Sequence, residues 1–186
     1  MRAHHRDLLK GALGLAGGLA GAGLAGAGLV APPALAAATA PRSLSLYNLH
    51  TGESLKATYF EDGAYLPDAI EAMDHLLRDF RTGEAHPIAP GLLDLVSTLR
   101  GRLESEQTVH VISGYRSPKT NAILRERSHG VAAHSLHMEG MAMDIRVPGV
   151  ELAHLRDAAL DLRRGGVGYY PDSDFVHVDI GRVRRW

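Results

Sequence analysis

Between Ser43 and Leu49 polar and apolar side chains alternate, and the alternation resumes from Ser54 to Phe60 beyond His50-Thr51-Gly52-Glu53. A period of two interrupted by a glycine-containing break predicts a β-hairpin. The pattern then lengthens. Pro67 suits a first helical turn, and Ile70, Met73, Leu77 and Phe80 follow at helical spacing along one face. Arg81 to Pro87 breaks this helix, and Leu92, Leu93, Leu95, Val96, Leu99 and Leu103 outline a second. Thr108 to Ser113 is rich in β-branched residues and reads as a strand ending at Gly114. Pro118 opens a helix through about Arg125, and Met141 to Val147 reads as a strand. Val150 to Leu162 forms another helix, with Leu152, Leu155, Ala159 and Leu162 inward, stopped by Arg163-Arg164-Gly165-Gly166. Val167 to Tyr170 and Phe175 to Ile180 then pair around Pro171-Asp172-Ser173-Asp174. These elements predict an α+β fold: a small, mostly antiparallel sheet with helices packed on one face and an added N-terminal hairpin.

The stretch ahead of the hairpin has a different character. Arg2, His4, His5, Arg6 and Lys10 precede Gly11 to Val30, a run without charge in which eight of twenty residues are glycine. Pro32 and Pro33 close the run, and Ala34-Leu35-Ala36 or Ala36-Ala37-Ala38 offers a small-residue cleavage site. Residues 1–38 are therefore expected to be a signal peptide for export, and 39–186 a single domain of about 148 residues. The weak hydrophobicity of the run favours the twin-arginine type, although His5-Arg6 stands where two arginines would. A retained membrane helix competes with this reading, since the run is long enough to span and has small residues four apart. After cleavage no stable membrane association is expected.

Charge and cysteine content narrow the chemistry. The chain has 20 basic and 21 acidic residues, and 17 against 20 without residues 1–38, so it offers no electrostatic hold on nucleic acid. Without any cysteine, disulfides, thiolate catalysis and Cys-ligated zinc are excluded. A metal would have to be held by histidine and carboxylate.

Such a set is present. His137, Asp144 and His177 supply two imidazoles and a carboxylate, a usual ligand set for one catalytic Zn²⁺ that leaves a fourth position open to water; iron or manganese also accepts two nitrogens and one oxygen. On a straight strand His137 and Asp144 would point to opposite faces. A turn at Gly140, where glycine tolerates positive φ, would present His137 from a loop while Asp144 rides the following strand, and His177 would enter from a neighbour. Met138, Met141 and Met143 read as packing residues. Arg116, just past Gly114, is placed to polarise a carbonyl or stabilise an oxyanion, with a purely structural arginine as the competing reading. Asn121 on the next helix is a candidate substrate contact, and Asp179, sharing a strand face with His177, is a candidate support for the imidazole or a base. His50, His75, His86, His129, His134 and His154 read as loop or surface residues.

The run Ser135-x-His137-x-x-Gly140-x-Ala142-x-Asp144, followed by Asp174-x-x-His177, resembles the zinc D,D-peptidases of the VanX and hedgehog type. With Ser113 to Pro118 and Gly165 to Pro171, it looks like the murein endopeptidase branch of that M15-like group, over roughly 43–186. The resemblance implies a D-Ala-D-Ala-peptidase-like fold and Asp174 as the catalytic carboxylate, three residues before His177. It also implies Arg116 as the carbonyl-polarising cation, and Ser135 and Tyr115 among the substrate contacts. It implies hydrolysis of amide bonds in peptidoglycan stem peptides and a periplasmic or otherwise exported location. A D,D- or L,D-carboxypeptidase trimming stems and a non-catalytic zinc-stabilised murein-binding module are the alternatives. Many relatives have His-x-His where this chain has His177-Val178-Asp179, which leaves Asp179 open as a rival to Asp174.

Overall fold

The computed structural model describes residues 40–127 and 132–186. The leader reading of residues 1–38, with its membrane-helix rival, and the reading of His129 lie outside them. Among the described residues, no helix is long and apolar enough to cross a membrane.

Eight strands form one sheet among these residues. They are β1 (Arg42–Asn48), β2 (Ser54–Glu61), β3 (Ala64–Tyr65), β4 (Val109–Ser113), β5 (Ala142–Arg146), β6 (Gly166–Tyr170), β7 (Phe175–Asp179) and β8 (Arg184–Arg185). Their order is β3-β2-β1-β4-β5-β7-β6-β8, antiparallel except where β1 meets β4 and β6 meets β8. Four helices accompany the sheet: α1 (Pro67–Leu76), α2 (Pro90–Arg102), α3 (Pro118–Arg127) and α4 (Leu152–Leu162). Helix α1 packs on β2, α2 on β1 and α4, and α4 on β6 and β7.

Strand alternation separates core from chemistry. Met143 and Ile145 on β5 and Val176 and Val178 on β7 point into the core, with Leu44, Leu46, Leu93, Val96 and Leu155. Asp144, His177 and Asp179 therefore fall on the opposite face. Each buried Val, Leu or Ile contributes about 1.5–3 kcal/mol of transfer free energy, so the core fixes strand register and register fixes the site.

The first helix is shorter than its spacing predicts. It ends at Leu76, leaving Phe80 outside, stacked on His50 at 3.8 Å. The cause is Asp79, which is buried. Its backbone N–H donates to Glu84 O and its carboxylate accepts from the Arg81 N–H, winding residues 79–84 into a tight loop instead of another helical turn.

The turn before β5 takes the conformation its glycine allows. Leu136–Glu139 forms a single 3₁₀ turn, capped by Ser135, whose Oγ accepts from His137 N, and closed by Gly140 at φ 65°. Gly140 O accepts from Ala89 N, and a Cβ on Gly140 would stand 2.2 Å from Pro87 O. Gly140→Ala thus combines a left-handed backbone with a backbone clash. We expect it to cost about 2–4 kcal/mol in urea unfolding, whereas an alanine at the open, helical Gly101 position should be neutral or stabilise by up to about 1 kcal/mol.

Candidate metal centre

The register of the sheet sets two side chains beside each other. Asp144 on β5 is the direct cross-strand partner of His177 on β7. The 3₁₀ turn brings His137 over the same face. Asp144 Oδ1 lies 2.8 Å from His177 Nδ1 and 3.2 Å from His137 Nε2, and the two nitrogens are 3.2 Å apart. These three residues are the group that could hold a metal ion among the described residues. Ligand atoms at the corners of a tetrahedral zinc site stand about 3.3 Å apart, so the donor spacing and donor chemistry both fit one ion with a fourth corner open.

The outward ring nitrogens are engaged as well. His137 Nδ1 lies 2.7 Å from Gly114 O, to which it donates, leaving Nε2 free to ligate. His177 Nε2 lies 3.1 Å from Asp179 Oδ2, leaving Nδ1 free. Each partner fixes a tautomer and a ring orientation, as second partners of metal-bound histidines generally do. Burial works against charge on Asp144, but both imidazoles outweigh it and hold its carboxyl well below the usual carboxylate range. Burial also lowers the His177 pKa, and hydrogen bonds to Asp144 and Asp179 reverse this, leaving it raised.

Asp179 is fully buried and takes bonds from all sides: Gly166 N, Gly181 N, both terminal nitrogens of Arg184, and His177. With no exposed atom and every oxygen engaged, it could influence a metal ion only through His177. A Cβ on Gly166 would stand 2.5 Å from Asp179 Oδ2, and one on Gly168 2.7 Å from the Trp186 ring.

A cleft of about 450 Å³ opens over these three side chains. One wall carries Arg116, His134 and Ser135; the other is an aromatic strip of Phe175, Tyr170 and Trp186. Tyr170 stacks on Phe175 at 4.6 Å, the Trp186 indole N–H donates to Tyr170 Oη at 2.6 Å, and the indole lies 5.2 Å from the His177 ring. Arg116 is largely buried, with one terminal nitrogen 3.6 Å from Asp144 Oδ2, while its Nε has no protein partner among the described residues.

The other sequence candidates divide. Ser135 lines the cleft. Tyr115 does not: it is buried, its hydroxyl donates to Glu84 and its ring stacks on His86, because its backbone N–H is tied to Leu77 O. Asn121 is buried too, and its amide donates to Ala132 O at 3.1 Å, steadying the loop that enters the metal turn instead of facing substrate. Asp174 closes the turn before β7 at φ 53°, with its carboxylate held by Arg146 and outside the residues that line the cleft. Sequence reading missed the aromatic strip, whose signal was the run Tyr169-Tyr170-Pro171 with Phe175 close behind. It also set aside His134, an exposed histidine on the cleft wall.

A family model described as peptidoglycan L,D-endopeptidase MepK matches residues 36–186, a span that contains all three ligands. The chain belongs to this family. It is 49% identical over 146 residues to peptidoglycan L,D-endopeptidase MepK of Escherichia coli strain K12, covering 78% of this chain and 80% of the relative. It is 42% identical over 147 residues to the probable peptidoglycan L,D-endopeptidase MepK of Haemophilus influenzae, covering 78% and 79%. No solved structure matches the chain significantly.

Asp79 also sets the position of Arg116. Its carboxylate accepts from the Ser117 N–H at 2.9 Å and from Ser117 Oγ at 2.6 Å, fixing the residue that follows Arg116. Burial pushes its pKa up, but these bonds more than offset that and pull it down to about 2. Because the folded value is depressed, the stabilisation is present above the ordinary carboxylate pKa and is lost as pH falls through it toward 2. Wild-type protein should therefore exceed Asp79→Asn by about 2 kcal/mol at pH 7, with the gap closing between about pH 4 and pH 2 in chemical unfolding.

Proposed function

We propose that this chain is a zinc-dependent peptidase that hydrolyses amide bonds in the peptide cross-links of peptidoglycan. The carrying observation is the convergence of His137 Nε2, Asp144 Oδ1 and His177 Nδ1 at the floor of an open cleft, in a chain that belongs to the MepK family. Three protein ligands suit a catalytic ion; a structural zinc is usually closed by a fourth. Peptidoglycan lies outside the cytoplasmic membrane, so the reading implies export, which a leader at residues 1–38 supports.

His137, Asp144 and His177 would hold the zinc, which when bound supplies Lewis-acid polarisation and water of lowered pKa. Arg116, which lines the cleft beside Asp144, meets the carbonyl oxygen as negative charge develops on it. The aromatic strip and Ser135 bracket the peptide so that its amide lies over the ligands. Asp174 is assigned the proton: it takes one from the attacking water and returns it to the departing amine. To do so it leaves Arg146 and turns into the cleft, which its neighbour Ser173 already lines. Asp179 is unsuited to that task, being saturated by five donors, and instead holds the His177 ring in place.

Incubation of the zinc-loaded protein with purified sacculi, followed by mass analysis of the products, should show cross-linked muropeptides resolved into single stems. Chelation of the metal or His137→Ala should abolish this, and zinc should restore the chelated wild type; release by His137→Ala at the wild-type rate would refute the assignment. The two aspartates separate by metal content. Asp174→Asn should keep one zinc per chain and lose about 10²–10⁴-fold in kcat. Asp179→Asn should bind zinc about 10–100-fold more weakly.

A further inference from the structure

Trp186 lines a second cavity as well as the metal cleft. This cavity, of about 460 Å³, lies on the helix side of the β6–β8 edge, where Arg156 on α4, Tyr169 on β6, Arg185 on β8 and Trp186 surround it. The position of Trp186 is built, not incidental. Its backbone N–H donates to Val167 O and its carbonyl accepts from Tyr169 N, while Gly168 leaves the space its ring needs beside His177. The half-exposed indole stands as a ridge with the metal cleft on one side and this groove on the other.

The groove is lined by two arginines and one aspartate, Asp157, together with the Tyr169 and Trp186 rings. Arg156 lies over the Tyr169 ring at 4.6 Å, and its acidic partner is its exposed chain neighbour Asp157, an arrangement that stabilises little. Arg185 has no acidic partner within salt-bridge distance among the described residues. Guanidinium groups beside aromatic faces suit a ligand combining carboxylates with aliphatic segments.

An endopeptidase must accommodate chain on both sides of the bond it cuts. The metal cleft has the volume of a small-molecule site, enough for the reacting amide and one arm. Peptidoglycan stems carry free carboxylates, and a cross-link joins two of them. We propose that the Arg156–Tyr169–Arg185 groove binds the second, carboxylate-bearing peptide arm of a cross-linked substrate, which passes over Trp186 from the metal cleft. This rests on the hydrolytic reading above and would make the chain a reader of both stems, a requirement that end-trimming of a single stem does not impose.

The test uses zinc-loaded protein and a purified muropeptide dimer. The double variant Arg156→Ala/Arg185→Ala should raise KM about tenfold with kcat within about twofold and one zinc per chain, and Arg156→Lys/Arg185→Lys should recover most of the loss. An unchanged KM, or a fall in kcat alone, overturns the proposal. Trp186 is the one tryptophan of the chain, so its emission gives a second reading independent of turnover. Titration with an uncross-linked stem peptide should shift wild-type emission saturably, and the Ala double variant should need about tenfold more peptide. Identical titrations would overturn the groove. If the wild type fails to cleave the dimer, the hydrolytic reading falls and the emission titration still decides the groove.

Discussion

The pairing of Asp144 with His177 across β5 and β7 is the contact on which the rest of the molecule depends. Side chains on a strand alternate, so a slip of one residue on either strand would send Asp144 or His177 into the helical core and a core residue to the cleft. The register is held by Met143, Ile145, Val176 and Val178, which interleave with the ligands and are buried against the helices. The hydrophobic face thus does more than stabilise: it sets which carboxylate and which imidazole meet. His137 is then delivered by a turn whose capping serine and left-handed glycine are both local in sequence.

The buried charges follow the same economy. Asp144, His177, Asp179 and Arg184 form an unbroken line of close polar contacts from the cleft face to the sheet edge. Taking any of these ions from water alone costs several kcal/mol, and the line is tolerable because each member has a partner on either side or a position facing the ion. Arg116 is the exception, with its Nε unmatched. Closed off from solvent as well as from protein acceptors, that N–H is an uncompensated cost of the fold at the cleft wall.

The strands, the helices and the metal turn were legible in the sequence because their signals are local. Alternation marked β1 and β2, the turn at Pro171–Asp174 marked β6 and β7, helical spacing marked α1, α2 and α4, and Gly140 resolved the odd spacing between His137 and Asp144. What escaped was set by distant partners. Nothing near Asp79 announces that it will accept from Ser117, 38 residues away, end α1 early and lock the segment carrying Arg116. Tyr115 and Asn121 lie in a functional-looking stretch, yet Leu77 and the Ala132–Ala133 carbonyls draw them inward. The parallel join of β1 to β4 and the short β8 likewise carry no signature of their own. Trp186 reaches the cleft only because β8 folds back along β6.

The bare backbone of β6 bears on how this end of the sheet responds to change. Where Gly166 and Gly168 would carry side chains, the Arg184 guanidinium and the Trp186 indole already lie, pressed against the groups that orient His177. A methyl group added at either position would have to push the Arg184 guanidinium or the half-exposed indole aside, and with them the contacts made to Asp179 and His177. The helical side can exchange one aliphatic for another and settle again; on the cleft side a change at those two glycines is passed on to Asp179 and Trp186, the two neighbours of the His177 ring.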